Sequence, residues 1–261
     1  MNTSTHSIDK RPSREDQLVI IPDIHGRDFW REAVRLRPDA ELVFLGDYLD
    51  PYPHEQISRD TAFKGLQDII AFKEAHPDRV TLLLGNHDLH YLYLKMISCR
   101  FDYVNADRNS RLFREKRHLF KIAHEAEAAG KRFLFSHAGV GRRWISQYIP
   151  TLESKDLTAD LLNGLSEIPA FVKALGDVSF YRGGRDLYGS MVWADVNEHM
   201  EERNRFPDIV QVFGHTMDFE PLNCDDQIYC LDCCRPFELD RKDGVIRGLD
   251  GTKIPYLTID S

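Results

Sequence analysis

Short apolar runs alternate along the chain with polar loops and helical stretches. LVII (18–21) runs into PDIHG, ELVFL (41–45) into GDYLD, and RVTLLL (79–84) into GNHD. Further on, RFLF (132–135) runs into SHAG and DIVQVF (208–213) into GHT. Runs this short and this continuously apolar fit strands buried on both faces. Helical spacing between them predicts helices over 28–37, 58–75, 107–129, 142–149, 156–165 and 196–205. Strands alternating with helices imply an α/β architecture. Residues 1–16 are polar and read as a flexible tail; 17–261 read as a single domain with a helical insertion around 89–131. Each polar motif follows the carboxyl end of an apolar run, where open α/β sheets place their ligand sites.

Composition narrows the partners more than the fold. With 261 residues, 42% hydrophobic and 29% charged, the chain has ordinary globular make-up. A net charge of −8 argues against a general nucleic-acid binder. No apolar run approaches the roughly 18 residues of a membrane span, and MNTSTHSIDKRPSRED lacks the apolar centre of a signal peptide. The expectation is a cytoplasmic protein with no membrane partner. Its five cysteines then read as reduced thiols, with Cys230 a buried strand residue rather than a zinc ligand. One stretch departs from the acidic balance. Between Lys95 and Lys121, the bases Lys95, Arg100, Arg108, Arg111, Arg114, Lys116, Arg117 and Lys121 outweigh Asp102, Asp107 and Glu115. Such a run reads as a solvated helix face, and it could also steer acidic substrates.

The chemistry sits at the strand ends: Asp23, His25, Asp47, Asp50, Asn86, His87, Asp88, His137 and His215. Carboxylate, amide oxygen and imidazole together suit borderline divalent ions such as Mn, Fe and Zn. A lone Asp or His after a strand is usually a helix cap, but a succession of such motifs flanked by glycine is not explained that way. Asp23, His25, Asp47, Asn86, His137 and His215 could hold two ions if one carboxylate bridges, and Asp47 is the natural bridge.

PDIHG (22–26), GDYLDPY (46–52), GNHD (85–88), SHAG (136–139) and GHT (214–216), joined by VWAD (192–195) and IYCLD (228–232), come in a telling order. The set resembles the calcineurin-like metallophosphoesterases, and within them the phosphoprotein-phosphatase (serine/threonine phosphatase-like) family. The resemblance implies a four-layer αββα sandwich of two mixed β-sheets flanked by helices. It also implies a dinuclear site, with Asp23 and His25 on the first metal, Asp47 bridging, and Asn86, His137 and His215 completing the second. Manganese is the ion expected to serve in vitro. His87 would be the general acid and Asp50 the carboxylate that orients it and keeps it protonated near neutral pH, while Asp88 would have a structural role. The implied activity is hydrolysis of phosphomonoesters, on phosphoproteins or small molecules, by in-line attack of a hydroxide bridging two ions about 4 Å apart.

Three positions qualify that reading. Met217 stands where many of the superfamily's diesterases have a second histidine, which favours the monoesterase and dinucleotide-hydrolase branch. Pro22 replaces the opening glycine. Pro51 replaces an arginine that clamps phosphate in the relatives, and Arg182, Arg185 and Arg143 are the expected substitutes. The alternatives are a diadenosine-polyphosphate-type hydrolase and, from another class, a catalytically decayed, metal-stabilised binding module.

Overall fold

Strand β1 (Gln17–Ile21) buries alternate residues on opposite sides, Val19 and Ile21 in one core layer and Leu18 and Ile20 in another. The computed structural model describes residues 17–96 and 99–257, and this double burial recurs through its first sheet. Leu42 and Phe44 of β2 (Glu41–Phe44) and Val80 and Leu82 of β3 (Val80–Leu83) lie in the layer of Val19. There they share a core with Trp30 and Ala33 of α1 (Phe29–Leu36) and with Ala62, Leu66, Ile69 and Ile70 of α2 (Arg59–Ala75). The α2 spacing puts one apolar stripe on the sheet; Ser58 caps its start by accepting from Thr61 N at 3.0 Å.

The opposite layer joins two sheets. Val43, Leu45 and Leu83 pack with Phe133 and Phe135 of β6 (Lys131–Ser136) and Val210 and Val212 of β7 (Ile209–Phe213). Burying each such side chain stabilises the fold by roughly 1.5–3 kcal/mol. In the first sheet β1, β2, β3 and β4 (Phe120–Lys121) run parallel, and β10 (Phe237–Asp240) and β11 (Val245–Gly248) are added antiparallel, in the order β11-β10-β1-β2-β3-β4. The second has the order β5-β6-β7-β9-β8, with β5 (Ala123–Ala128), β8 (Leu222–Cys224) and β9 (Ile228–Cys230) beside the parallel pair β6 and β7. Both sheets are mixed and helices flank them, as the sequence implied. Because β1, β2 and β3 are parallel, as are β6 and β7, their carboxyl ends gather at common edges.

The helical reading of 107–129 needs correction. Helix α4 (Ala106–Glu115) stops early, and β4 and β5 follow, so the expected insertion of 89–131 contains strands as well as helix. AHEAEA has good helix formers, but Ala126 and Ala128 face the inter-sheet layer while Glu125 and Glu127 lie on the opposite face. Ala129 (φ 49°) and Gly130 (φ 75°) then make the two-residue turn into β6. Sheet pairing overrides local propensity here. Elsewhere α5 (Arg142–Ile145), α6 (Ala159–Leu165) and α8 (Val196–Met200) are shorter than expected, and α3 (Asn86–Leu92) and α7 (Pro169–Ala174) were not anticipated. The expected tail, 1–16, lies outside the described residues. Among the described residues no helix is long and apolar enough to cross a membrane.

Candidate active site

The loops after β1, β2, β3, β6 and β7 converge, and backbone contacts fix them before any side chain is considered. His25 N donates to Asp47 O at 2.7 Å, Gly26 N to Tyr48 O at 3.0 Å, and Gly214 N to His137 O at 2.9 Å. His25, Asp47, Asp50 and His215 adopt left-handed φ values of 44°, 53°, 58° and 65°. Such a conformation costs a non-glycine residue on the order of 1 kcal/mol or more and persists where surroundings impose it, often at functional sites. Two glycines are required by close approach. A Cβ at Gly85 would meet Asp47 Oδ1 at 2.1 Å, and one at Gly214 would meet Asp23 Oδ1 at 2.1 Å.

Asp47 lies at the centre of the donors. Its Oδ2 is 3.5 Å from His25 Nε2 and 3.5 Å from His137 Nε2. His25, Asp47 and His87 bring ligand atoms within 4.8 Å of one another, and so do Asp47, His137 and His215. Asn86 Oδ1 is 2.9 Å from His137 Nε2, which is also 3.1 Å from His215 Nδ1. Asp23 belongs to neither triad of ligand atoms; its two oxygens accept from His215 N at 3.1 and 3.2 Å. Backbone carbonyls orient the rings. His25 Nδ1 donates to Leu49 O at 2.8 Å and His137 Nδ1 to Leu45 O at 2.9 Å, which leaves each Nε2 lone pair facing the centre.

Electrostatics show what this donor set needs. Burial, and then the charge of Asp23, push the Asp47 carboxyl well above its usual range. Burial also raises Asp23 and, with Asp23 beside it, raises Asp232 strongly. Burial holds His25 and His215 well below the ordinary imidazole value. His215 Nε2 is buried without a hydrogen-bond partner among the described residues. Crowded carboxylates and neutral imidazoles with unused lone pairs are a donor set that fits divalent cations.

Beside this centre, His87 Nδ1 and Asp50 Oδ2 are 2.8 Å apart, and Tyr91 OH donates to Asp50 Oδ1 at 2.5 Å. The expectation that Asp50 keeps His87 protonated is not met by the chain alone. Burial, and then the Arg100 and His90 charges, hold His87 well below its ordinary value, while burial pushes Asp50 up to about 6. Asp88, one residue on, accepts from Gly85 N, Asp47 N and Tyr48 N at 2.8, 2.7 and 3.1 Å.

The expected arginines divide. Arg182 Nη2 donates to His215 O at 2.8 Å and to Thr216 Oγ1 at 3.0 Å, with Nε 3.2 Å from Asp195 Oδ2. Arg143 instead pairs with Glu201 at 3.0 Å, and Arg185 is exposed on the same turn as Arg182, outside these contacts. Sequence reasoning missed Arg100 as a site residue. Its Nη2 donates to Asp50 O at 3.2 Å, its guanidinium lies 3.7 Å from the centroid of the Tyr52 ring, and among the described residues its buried Nε has no hydrogen-bond partner. A cavity of about 410 Å³ adjoins it, lined by Asp50, Tyr52, Arg59, Arg100 and Asp102 among others. Tyr91 and Asp232 were also missed. Tyr91 follows His87 by four residues on α3, a spacing that puts both on one helix face and could have found it. Met217, at the position of the diesterases' second histidine, is exposed.

Comparison with known proteins agrees with this architecture. Residues 17–219 match the family model of the calcineurin-like phosphoesterases. A cold-active protein-tyrosine phosphatase from a psychrophilic Shewanella shares the fold at a TM-score of 0.63 and 17% identity, over 92% of this chain and 80% of that one. A serine/threonine phosphatase from Saccharomyces cerevisiae aligns at a TM-score of 0.50 and 11% identity, over 87% of this chain and 74% of that one. At such identities these two likenesses speak to fold, whereas the family match spans most of the sequence. The chain is a metal-dependent phosphoester hydrolase and belongs to the calcineurin-like phosphoesterase family.

Proposed function

We propose that the protein hydrolyses phosphomonoesters at a dinuclear site formed by Asp23, His25, Asp47, Asn86, His137 and His215, with His87 as proton donor. The observation that carries this reading is the placement of Asp47 Oδ2 at 3.5 Å from both His25 and His137, with the His87–Asp50 pair alongside. When bound, two divalent ions would acidify a water, neutralise the carboxylates and hold phosphate oxygens. The remaining steps fall to the chain. Asp50 accepts from His87 Nδ1 and so fixes the ring with Nε2 on the far side, 3.1 Å from Cys99 Sγ. An incoming phosphate dianion adds negative charge beside His87 and opposes the effect of Arg100, favouring the protonated ring that a leaving group needs. Arg100 and Arg182, the latter hydrogen-bonded to His215 O and Thr216 Oγ1, are the phosphate-binding side chains in place of the residue lost at Pro51. Loss of one such donor typically costs about 100-fold in rate.

The test uses manganese-loaded protein with an alkyl phosphate, nitrophenyl phosphate and a dinucleoside polyphosphate. Both monoesters should be turned over in preference to the dinucleotide. His87→Asn should keep its metals yet lose ~100-fold or more on the alkyl ester, and distinctly less on nitrophenyl phosphate, whose leaving group needs little protonation. An equal loss on both esters removes His87 from the proton-donor role. Faster cleavage of the dinucleotide replaces the monoesterase reading with the diadenosine-polyphosphate one.

A further inference from the structure

A third group of metal-binding side chains lies against the proposed proton donor. His87, His90 and Cys99 bring their ligand atoms within 4.8 Å of one another. Cys99 Sγ is 3.1 Å from His87 Nε2 and 3.7 Å from His90 Nδ1. His87 and His90 are three residues apart on α3, so the helix presents both rings on one side. Each partner is held in place. His87 Nδ1 is committed to Asp50 at 2.8 Å, which leaves the Nε2 lone pair toward the thiol. His90 is fully buried, with its ring 6.4 Å from Phe101 and 6.0 Å from Trp193, and among the described residues its Nε2 has no hydrogen-bond partner. Asn86 Nδ2 donates to Cys99 Sγ at 3.5 Å, while burial and then the Asp47 and Asp50 charges push the thiol up, so that without a cation it stays protonated.

Two imidazoles and a thiolate are the donors zinc prefers, whereas manganese favours oxygen. We propose that His87, His90 and Cys99 form a zinc-binding site that inhibits the enzyme; the inhibitory part rests on the reading of His87 as proton donor. Binding forms bonds to Sγ and to one nitrogen of each ring and releases the thiol proton to solvent. With Nδ1 on Asp50 and Nε2 on zinc, His87 has no nitrogen left to deliver a proton. Zinc would then stop turnover without displacing an ion from the dinuclear centre.

The experiment titrates zinc sulfate into manganese-loaded protein and, separately, cobalt chloride, reading rate on an alkyl phosphate, whose leaving group needs the proton, and the thiolate-to-cobalt charge-transfer band. The parent should bind zinc beyond its manganese, lose activity as it does so, and show the band. Cys99→Ser, scored against its own zinc-free rate, should need at least ~10-fold more zinc for half inhibition and lose the band. His90→Gln serves as a second variant should Cys99→Ser fail to fold. Absence of the band in the parent, or equal zinc sensitivity in the variant, overturns the proposal. The cobalt reading needs no turnover, so a failure of the phosphomonoesterase reading leaves the metal site separately decided.

Discussion

Asp88 follows the proposed proton donor by one residue and does an entirely different job. Fully buried, its carboxylate satisfies the N–H groups of Gly85, Asp47 and Tyr48 and so ties the loop after β2 to the start of α3. The sequence suggested a structural role only because the family commonly has Glu there; the bonds give the reason. Asp88→Ala would leave all of those donors buried without a partner. At roughly 1–3 kcal/mol for each orphaned group, the loss should be at least about 3 kcal/mol. Urea unfolding of the metal-free protein checks this. Asp88→Asn, which keeps one acceptor oxygen, should fall between the parent and Asp88→Ala; a midpoint unchanged in Asp88→Ala would show that the bonds contribute little.

At the scale of elements, what the sequence disclosed followed from burial. Strands buried on both faces are continuously apolar, so β1, β2, β3, β6 and β7 were visible, and so were the polar loops at their ends. Strands outside that doubly covered centre were not. β10 and β11 need face only one core layer, and β5 has a helix former's composition that only its partner β6 overrules. Arg100 was hidden for a related reason. The run around it is predominantly basic, yet Arg108, Lys116 and Arg117 turn to Asp60, Glu74 and Glu167 at 2.7, 2.6 and 2.8 Å, and Arg100 turns to the site. That choice depends on the path between α3 and α4, which no periodicity encodes.

Helix α8 shows how an element without ligands can govern the site. His199 on α8 is fully buried and donates through Nε2 to Ala138 O at 2.9 Å, just after His137. Burial lowers its pKa to about 4 from the ordinary 6.5. A histidine whose folded value is depressed adds stability above pH 6.5 that is lost as the pH falls toward 4. His199→Gln, which retains an Nε donor but does not titrate, should be less stable than the parent at pH 7 and should lose less stability between pH 7 and 5. Parallel melting curves of the two proteins over that range test it; equal slopes would mean that His199 does not drive the acid limb.

For the molecule as a whole, the notable fact is that the donors come from both sheets. Asp23, Asp47 and Asn86 follow strands of the first sheet, His137 and His215 strands of the second, and His137 Nδ1 already reaches across to Leu45 O at 2.9 Å. Without metals, the centre keeps several carboxylates buried close together and opposes its own closure. Ions shared between the sheets would remove that repulsion and bind only the folded arrangement. A ligand present at 100 times its dissociation constant adds about 2.7 kcal/mol, and in a chain of this size each kcal/mol moves Tm by roughly 2–4 °C. Manganese should therefore raise Tm by about 5–10 °C over chelator-treated protein. Asp47→Asn should abolish most of that rise and retain less than full occupancy at both sites by elemental analysis, because Asp47 Oδ2 lies 3.5 Å from both His25 and His137. His87→Asn should keep the rise, since His87 serves the leaving group and not the dinuclear centre. A manganese shift of the same size in Asp47→Asn as in the parent would remove Asp47 from the bridging position and separate the two halves of the site.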